Sequence, residues 1–424
     1  MKISSLATWI IALATVLTVQ GSIEAADLRL KAGIGYDFLS QEFFLDSTAV
    51  SGVDSFYTDW NLKTNYLDDI KGLLSLSYTP FSDRRLYLQT SYEQTRDYLR
   101  TRFLSDTRLK FNSSRLDLNN ELEWKHRLAD SATVGDSYLL AYSRARLTTP
   151  LSAQINGHFQ LKGDMVAFDS VSDLSYNYYR LEARTGVSKS FEDFSFAEFS
   201  LLAQTRQVPD STFLNYLSLG GDISSFVFYS SGVLDLYARL EHKDYNQPDN
   251  KDDHFHFEIT SRNRNRLGGA FFSRQELDLE LTFYSPESTV NYDYHRFSLA
   301  VLGGLEEGVF STAIGPRLEY LTEETTGFLT SNNYLETGIR VDADLMMVNR
   351  LFLSAESTTG LRNLKYEDDL QSDYTFQRVN LIGDLKVFVG LNLSFLLSTE
   401  WEWHGNSTEN SALYLLSSNL TYTF

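Results

Sequence analysis

The sequence predicts an all-β fold, a single antiparallel up-and-down transmembrane β-barrel of about 20 strands (18–22). Three observations carry this expectation. Apolar and polar residues alternate through most of the chain, tight and long connections follow one another in turn, and the final strand keeps its apolar residues on one face to the last position. Alternation gives an extended strand two unlike faces, one suited to lipid and one to water.

The first segment has a different character. Lys2 precedes an apolar run from Trp9 to Val19, and Ile23-Glu24-Ala25-Ala26 offers a small-residue cleavage site, so residues 1–25 read as a signal peptide and 26–424 as the barrel. The apolar run is shorter than the roughly 20 residues of a spanning helix, and no later run reaches that length, which excludes a helical membrane protein. With 42% hydrophobic residues and a net charge of −19 the chain is too polar for helices in lipid. A barrel accommodates that polarity because only every second residue meets lipid. The acidity also excludes nucleic acid as a partner, since phosphates attract basic surfaces. Cysteine is absent, which rules out disulfides, a thiol nucleophile and a covalent c-type haem.

Period-two alternation begins with Leu28, Leu30, Ala32, Ile34, Tyr36 and Phe38. Tight turns are expected near Ser82-Asp83, Asn112-Ser113, Thr149-Pro150, Glu192-Asp193, Ser230-Ser231, Glu306-Glu307, Val348-Asn349 and Gly390. Longer polar connections lie between them, at Asp244 to Asp253, Thr322 to Asn332, Arg362 to Asp373 and His404 to Asn410. Short turns would face the periplasm and long loops the exterior, and an even strand number puts both termini in the periplasm. The stretch Ser40 to Asp69 is long enough for an extra hairpin, or for an aromatic-rich loop folded into the lumen. Pro316 falls inside an alternating run, which predicts a bulge or a late strand start there.

The last strand, SALYLLSSNLTYTF, sets Tyr414, Leu416, Ser418, Leu420, Tyr422 and Phe424 on one face. It resembles the terminal strand of bacterial outer-membrane β-barrel proteins of the porin-like kind, a broad class within which no specific family is indicated. The resemblance implies an outer-membrane location, contact with lipid and lipopolysaccharide, and recognition by the barrel assembly machinery through Tyr422 and Phe424.

Assigning faces by alternation turns one set of charges inward. On the strand from Arg115 to Lys125, Leu116, Leu118, Leu122 and Trp124 face lipid while Arg115, Asp117, Glu121, Glu123 and Lys125 face the lumen. The candidate pore-lining residues elsewhere are Arg144, Arg146, Arg180, Glu182, Arg184, Arg262, Arg264, Arg266, Glu276, Asp278, Glu280, Glu336, Arg340 and Asp342. Such residues serve either as structural ion pairs or as a field that sorts solutes by charge. Inward aromatics are expected only at Tyr142, Tyr176 and Tyr178, the remaining rings forming interface girdles.

No catalytic or metal-binding residues are assigned, and the chain is not read as an enzyme. Asp252-Asp253-His254 loosely resembles an acid–histidine pairing, and His254, His256 and Glu258 share a face at metal-ligand spacing, but each is outweighed by an ordinary solvated wall. The only cofactor expectation is weak Ca²⁺ or Mg²⁺ at acidic outer loops, through Asp249, Asp252, Asp253, Glu367, Asp368, Asp369 and Asp373. The function expected is an outer-membrane channel for small polar solutes. The alternative is a sheath or export partner for a periplasmic protein or polymer, such as a multihaem cytochrome, and an outer-membrane hydrolase ranks third.

Overall fold

The computed structural model describes residues 27–51, 54–80, 86–128, 137–169, 176–209, 211–245, 253–285, 293–323, 333–348, 350–364, 373–405 and 410–424, with the side chains of residues 27 and 39–69 excepted. The signal segment and the turn at Ser82-Asp83 therefore lie outside the described residues. So do most of the acidic loop residues.

The strands run in chain order as β1 (Asp27–Ser51), β2 (Asp54–Thr79), β3 (Leu86–Gln94), β4 (Tyr98–Phe111), β5 (Ser114–Arg127), β6 (Tyr138–Pro150) and β7 (Ile155–Phe168). They continue as β8 (Tyr178–Ser190), β9 (Phe196–Gln207), β10 (Tyr216–Tyr229), β11 (Gly232–Tyr245), β12 (His254–Gly268), β13 (Phe271–Tyr284) and β14 (Tyr294–Glu307). The last six are β15 (Phe310–Glu323), β16 (Tyr334–Met347), β17 (Leu351–Leu364), β18 (Tyr374–Phe388), β19 (Leu391–His404) and β20 (Ser411–Thr423). Each pairs antiparallel with its neighbours in sequence, so the 20-stranded sheet is a pure meander. The ends then meet. β1 pairs β20 from Lys31 opposite Thr423 to Phe43 opposite Ser411, and the Phe424 amide donates to the Leu30 carbonyl at 2.8 Å. Closure leaves no barrel strand with a free ladder, which a hydrocarbon environment requires because it offers no partner for a bare amide.

Ser40 to Asp69 is neither an extra hairpin nor a strand-free loop. It continues β1 and β2 as one antiparallel ribbon, with a single register irregularity between Leu39 and Ser40, and the count stays at twenty. Whether its rings enter the lumen concerns side chains outside those described.

Connections at the end that carries both termini are short. Asn112-Ser113, Ser230-Ser231, Gly269-Ala270, Gly308-Val309 and Val389-Gly390 join consecutive strands, and Asn112 adopts φ 53°, a conformation that two-residue hairpins demand and that asparagine tolerates. Three details differ from the sequence reading. Glu306 and Glu307 are the last rungs of β14, opposite Ser311 and Phe310, and the chain turns two residues later where Gly308 supplies φ +62°. Thr149 and Pro150 likewise end β6, with the turn at Leu151 to Gln154. The turn at Gly269-Ala270 was not anticipated. In the turn between β8 and β9 the Ser195 hydroxyl and amide hold the Asp193 carboxyl below its ordinary range, the amide donating at 3.1 Å.

Pro316 does not create a bulge. The β14–β15 register is the same on both sides of it, Ala300 opposite Arg317 and Gly303 opposite Ile314, while pairing to β16 runs through Pro316 opposite Ile339 without a break. The missing N–H is absorbed by a short gap in the β14 ladder, and the ring faces outward.

Burial is inverted relative to a water-soluble protein. Ile34 (55%), Ile70 (63%) and Leu122 (47%) are exposed, whereas Glu123 (3%) and Glu336 (1%) are buried. Apolar side chains thus stand on the outer face, and the protein's interior is polar, the pattern of a lipid-facing belt around a hydrated core.

Candidate functional site: the concave wall

The inner face can be identified without reference to the outer one. Arg340 on β16 reaches Glu276 on β13 at 2.9 Å, Arg146 on β6 reaches Glu198 on β9 at 3.2 Å, and Arg184 on β8 reaches Asp222 on β10 at 3.1 Å. Side chains can bridge strands that are not neighbours only as chords across the concave side of a curved sheet. Alternation from these anchors puts all fourteen candidate wall residues on that side.

Most of these charges are engaged. Arg180 pairs Asp164 at 2.8 Å, Glu182 meets Lys162 at 3.6 Å, Arg264 pairs Glu306 at 2.7 Å, and Arg144 donates to the Asn119 carboxamide at 2.9 Å. Arg340 also contacts Asp342 and Glu356, each at 2.8 Å, and Arg274 pairs Asp342. Small inward residues on β14 and β15, Ala300, Ala313 and Gly315, leave room for this chord. Under the same arch Phe272, Leu302 and Ala313 form a small apolar cluster inside the barrel, where Phe272 occupies the space a Cβ on Gly304 would fill and Arg264 lies 4.1 Å above the ring.

Glu336 is the centre of a second network. Its carboxylate accepts from Arg317 at 2.5 Å and from Arg362 and Arg378 at 2.8 Å each. Arg378 continues to Glu400 at 2.8 Å, and Arg317 to Glu319, which also binds Arg296 at 3.3 Å. Six consecutive strands, β14 to β19, are cross-linked in this way.

Against this paired background a few wall charges stand apart. Arg262, Arg266, Glu258, Asp278 and Glu280 have no ion-pair partner among the described residues, and Glu258 lies directly opposite Glu280 in the β12–β13 register. Like charges in register are unfavourable. The arginines on their other sides, Arg239 opposite Glu258 and Arg296 opposite Glu280, pair with Glu241 and Glu319 instead, which leaves both carboxylates to water or a solute.

The loop end of the inner wall carries a feature that sequence reasoning missed. From β4 to β18 every second strand opens with an inward ring, Tyr98, Tyr138, Tyr178, Tyr216, His254, Tyr294, Tyr334 and Tyr374, at intervals of about forty residues. Tyr138 donates to Glu123 at 2.6 Å and Tyr334 to Glu319 at 2.7 Å, while Arg362 lies 4.2 Å over Tyr334 and 5.3 Å over Tyr374. The inward aromatics are therefore a near-continuous rim and not only Tyr142, Tyr176 and Tyr178. Tyr284, expected in an outer girdle, also belongs to it and forms a tilted pair with His254, centroids 5.0 Å apart.

The residue before five of these rim aromatics, and Asn410 before Ser411, closes the loop at its base. Asn177, Asn215, Asp253, Asp293, Asp373 and Asn410 each accept, through a side-chain oxygen, the amide of the residue that ends or just follows the preceding strand, at 2.6–2.8 Å. Asp253 and Asp373 are thus committed to backbone amides. The other five acidic loop residues lie outside the described residues.

No hydrolytic arrangement is assembled around histidine among the described residues. His158 Nε2 is shared between Ser200 Oγ (3.2 Å) and Glu198 (3.5 Å), Nδ1 has no partner, and Ser200 is fully buried. A general base needs the acid on the opposite ring nitrogen and a nucleophile within reach of substrate. His256 Nδ1 is 3.0 Å from Thr282, and no group of three metal-ligating side chains occurs among the described residues.

This architecture is found in solved structures. The chain resembles the siderophore receptor PirA from Pseudomonas aeruginosa (TM-score 0.52, 9% identity, 94% of this chain and 80% of that one) and the alcaligin outer-membrane receptor FauA from Bordetella pertussis (TM-score 0.51, 11% identity, 94% and 76%). It also resembles OccAB3 from Acinetobacter baumannii (TM-score 0.50, 8% identity, 94% and 99%). The fold is that of the outer-membrane β-barrels. No family model matches the sequence, and no curated protein matches it. At these identities the likeness concerns the barrel alone, and the wall chemistry above belongs to this chain. At the seam of that barrel, Tyr422 and Phe424 stand on the outer face in an edge-to-face pair 4.6 Å apart, with Phe424 exposed.

Proposed function

We propose that this barrel is an outer-membrane channel for small polar solutes, with charge preference set by the wall residues that lack a partner. The observation that supports this reading is the concave face, lined with charge along most of its wall and retaining Arg262, Arg266, Glu258, Asp278 and Glu280 outside the ion-pair networks. A closed structural core would not keep these charges bare. A water-filled lumen hydrates them, and near its walls a field is poorly screened. In this reading residues 1–25 direct export, the long loops face outward, and Tyr422 and Phe424 are read by the assembly machinery.

Planar-bilayer recordings test conduction directly. Discrete conductance steps are expected from the purified protein, and Arg262→Gln/Arg264→Gln/Arg266→Gln should shift selectivity toward cations because three positive charges leave the lumen. Absence of conductance in the parent would replace the channel with the sheath or export reading, in which a partner occupies the lumen. An unchanged reversal potential in the triple variant would remove these arginines from the conduction path.

Assembly has its own test. Phe424→Ser should lower the yield of folded barrel in the outer membrane while signal cleavage proceeds, read as loss of the heat-modifiable band without accumulation of precursor. Full assembly of that variant would strip the terminal aromatic of its role.

A further inference from the structure

We propose that the outer face of β4 to β7 is a docking surface for a second copy of this chain, joined across a two-fold axis by the Asn120 carboxamide. On the lipid side, Ser105, Asn120 and Ser143 are direct register partners on three consecutive strands, each near the middle of its strand. They bond to one another, Asn120 Nδ2 donating to Ser105 Oγ at 3.2 Å and Ser143 Oγ donating to Asn120 Oδ1 at 2.8 Å. The row is open to the surroundings, not capped by neighbouring side chains.

The internal bonds do not exhaust the row. Asn120 keeps a second amide hydrogen and a free lone pair on Oδ1, and the Ser105 hydroxyl accepts without a recorded acceptor of its own. Acyl chains at this depth have no hydrogen-bonding group to offer, so lipid cannot complete the set. A similar polar group on the same outer face, Asn263, Gln275 and Ser273, with Asn263 3.0 Å from Gln275, lies beside the tight-turn end, where headgroups and water are at hand. Among the described residues, only the Ser105–Asn120–Ser143 row combines this chemistry with mid-membrane depth.

Shape and symmetry then select the occupant. The row on one side is apolar, Phe103, Leu122 and Ala141, and that on the other is Thr107, Leu118 and Ala145. Next to Ser143 stands Gly163, where an added Cβ would find nothing nearer than 3.8 Å, so the surface is locally shallow and another backbone can approach. Asn120 is the middle member with a serine on each side. A half-turn about a membrane normal passing beside Asn120 brings Asn120 to Asn120, and each carboxamide offers its remaining amide hydrogen to the other's Oδ1, a self-complementary pair in which donor and acceptor needs match. Apolar residues seal the pair from lipid.

The absence of cysteine from the chain makes the test direct. Asn120→Cys and, separately, Ser143→Cys are expressed in the full-length protein and treated in native membranes with an oxidant or a short bis-maleimide. Both should give a disulfide- or linker-joined dimer, and Leu279→Cys on another part of the belt should not. In reconstituted vesicles Asn120→Leu should weaken self-association about tenfold by subunit capture, with the heat-modifiable folded band unchanged. The proposal fails if the cysteine variants cross-link no faster than Leu279→Cys, if they join only a different protein, or if Asn120→Leu associates as the parent does.

Discussion

Glu336→Ala is expected to destabilise the folded barrel by about 3 kcal/mol, at the lower end of what breaking a buried pair costs, because it leaves three guanidiniums facing one another. Glu336 is the common acceptor for Arg317, Arg362 and Arg378, and these neighbours are themselves largely covered. Loss of the carboxylate removes the link between β15–β16 and β17–β18 as well as the charge balance. Glu356, 40% exposed and bonded to Arg340 at 2.8 Å, is the matched control, and Glu356→Gln should change stability by no more than about 0.5 kcal/mol. Urea unfolding from vesicles, followed by tryptophan fluorescence, separates the two. Equal midpoints would mean that the lumen hydrates the arginines fully and that the network is incidental.

Leu279→Arg is expected to cost about 2–4 kcal/mol, since Leu279 lies at mid-strand on the lipid face between Ile259 and Phe297. Depth decides the size of the effect. Leu393, on the same face between Leu385 and Leu420, stands two residues from the start of β19 at the tight-turn end, so Leu393→Arg should cost only about 0–1 kcal/mol. Sequence alternation alone assigns both to lipid without ranking them. The same unfolding assay reads both variants, and a harmless Leu279→Arg combined with a non-folding Arg262/Arg264/Arg266 variant would invert the face assignment.

The sequence was legible where a local rule has a global consequence. Alternation in Leu28 to Phe38 and in Tyr414 to Phe424 already determined which faces meet at the seam, and the spacing of turns put the strand number near twenty, with 18 and 22 left open until the pairing of Ser40 to Asp69 decides between them. What it could not disclose was reach. Small residues between them, Ala300, Ala313 and Gly315, leave room for Arg340 to meet Glu276, a relation among strands far apart in sequence. Turn positions slipped at Glu306-Glu307 because polarity marks a turn region, whereas the residue that must adopt positive φ, Gly308, fixes its site. The loop-base pair was different. Asn177-Tyr178, Asn215-Tyr216, Asp253-His254, Asp293-Tyr294 and Asp373-Tyr374 stood in plain view, but two residues in forty form a faint repeat when the intervening positions need only alternate.

That spacing bears on how such a chain changes size. From Asn177 through Asn215 and Asp253 to Asp293, each interval of about forty residues begins and ends on the same clamp, carries one descending and one ascending strand, and passes the chain on in the orientation in which it was received. Duplication or loss of one interval would leave every remaining clamp and face assignment intact while widening or narrowing the cylinder by two strands. Circumference is in this sense a heritable quantity that moves in whole hairpins. Chemistry along the wall can drift residue by residue within them.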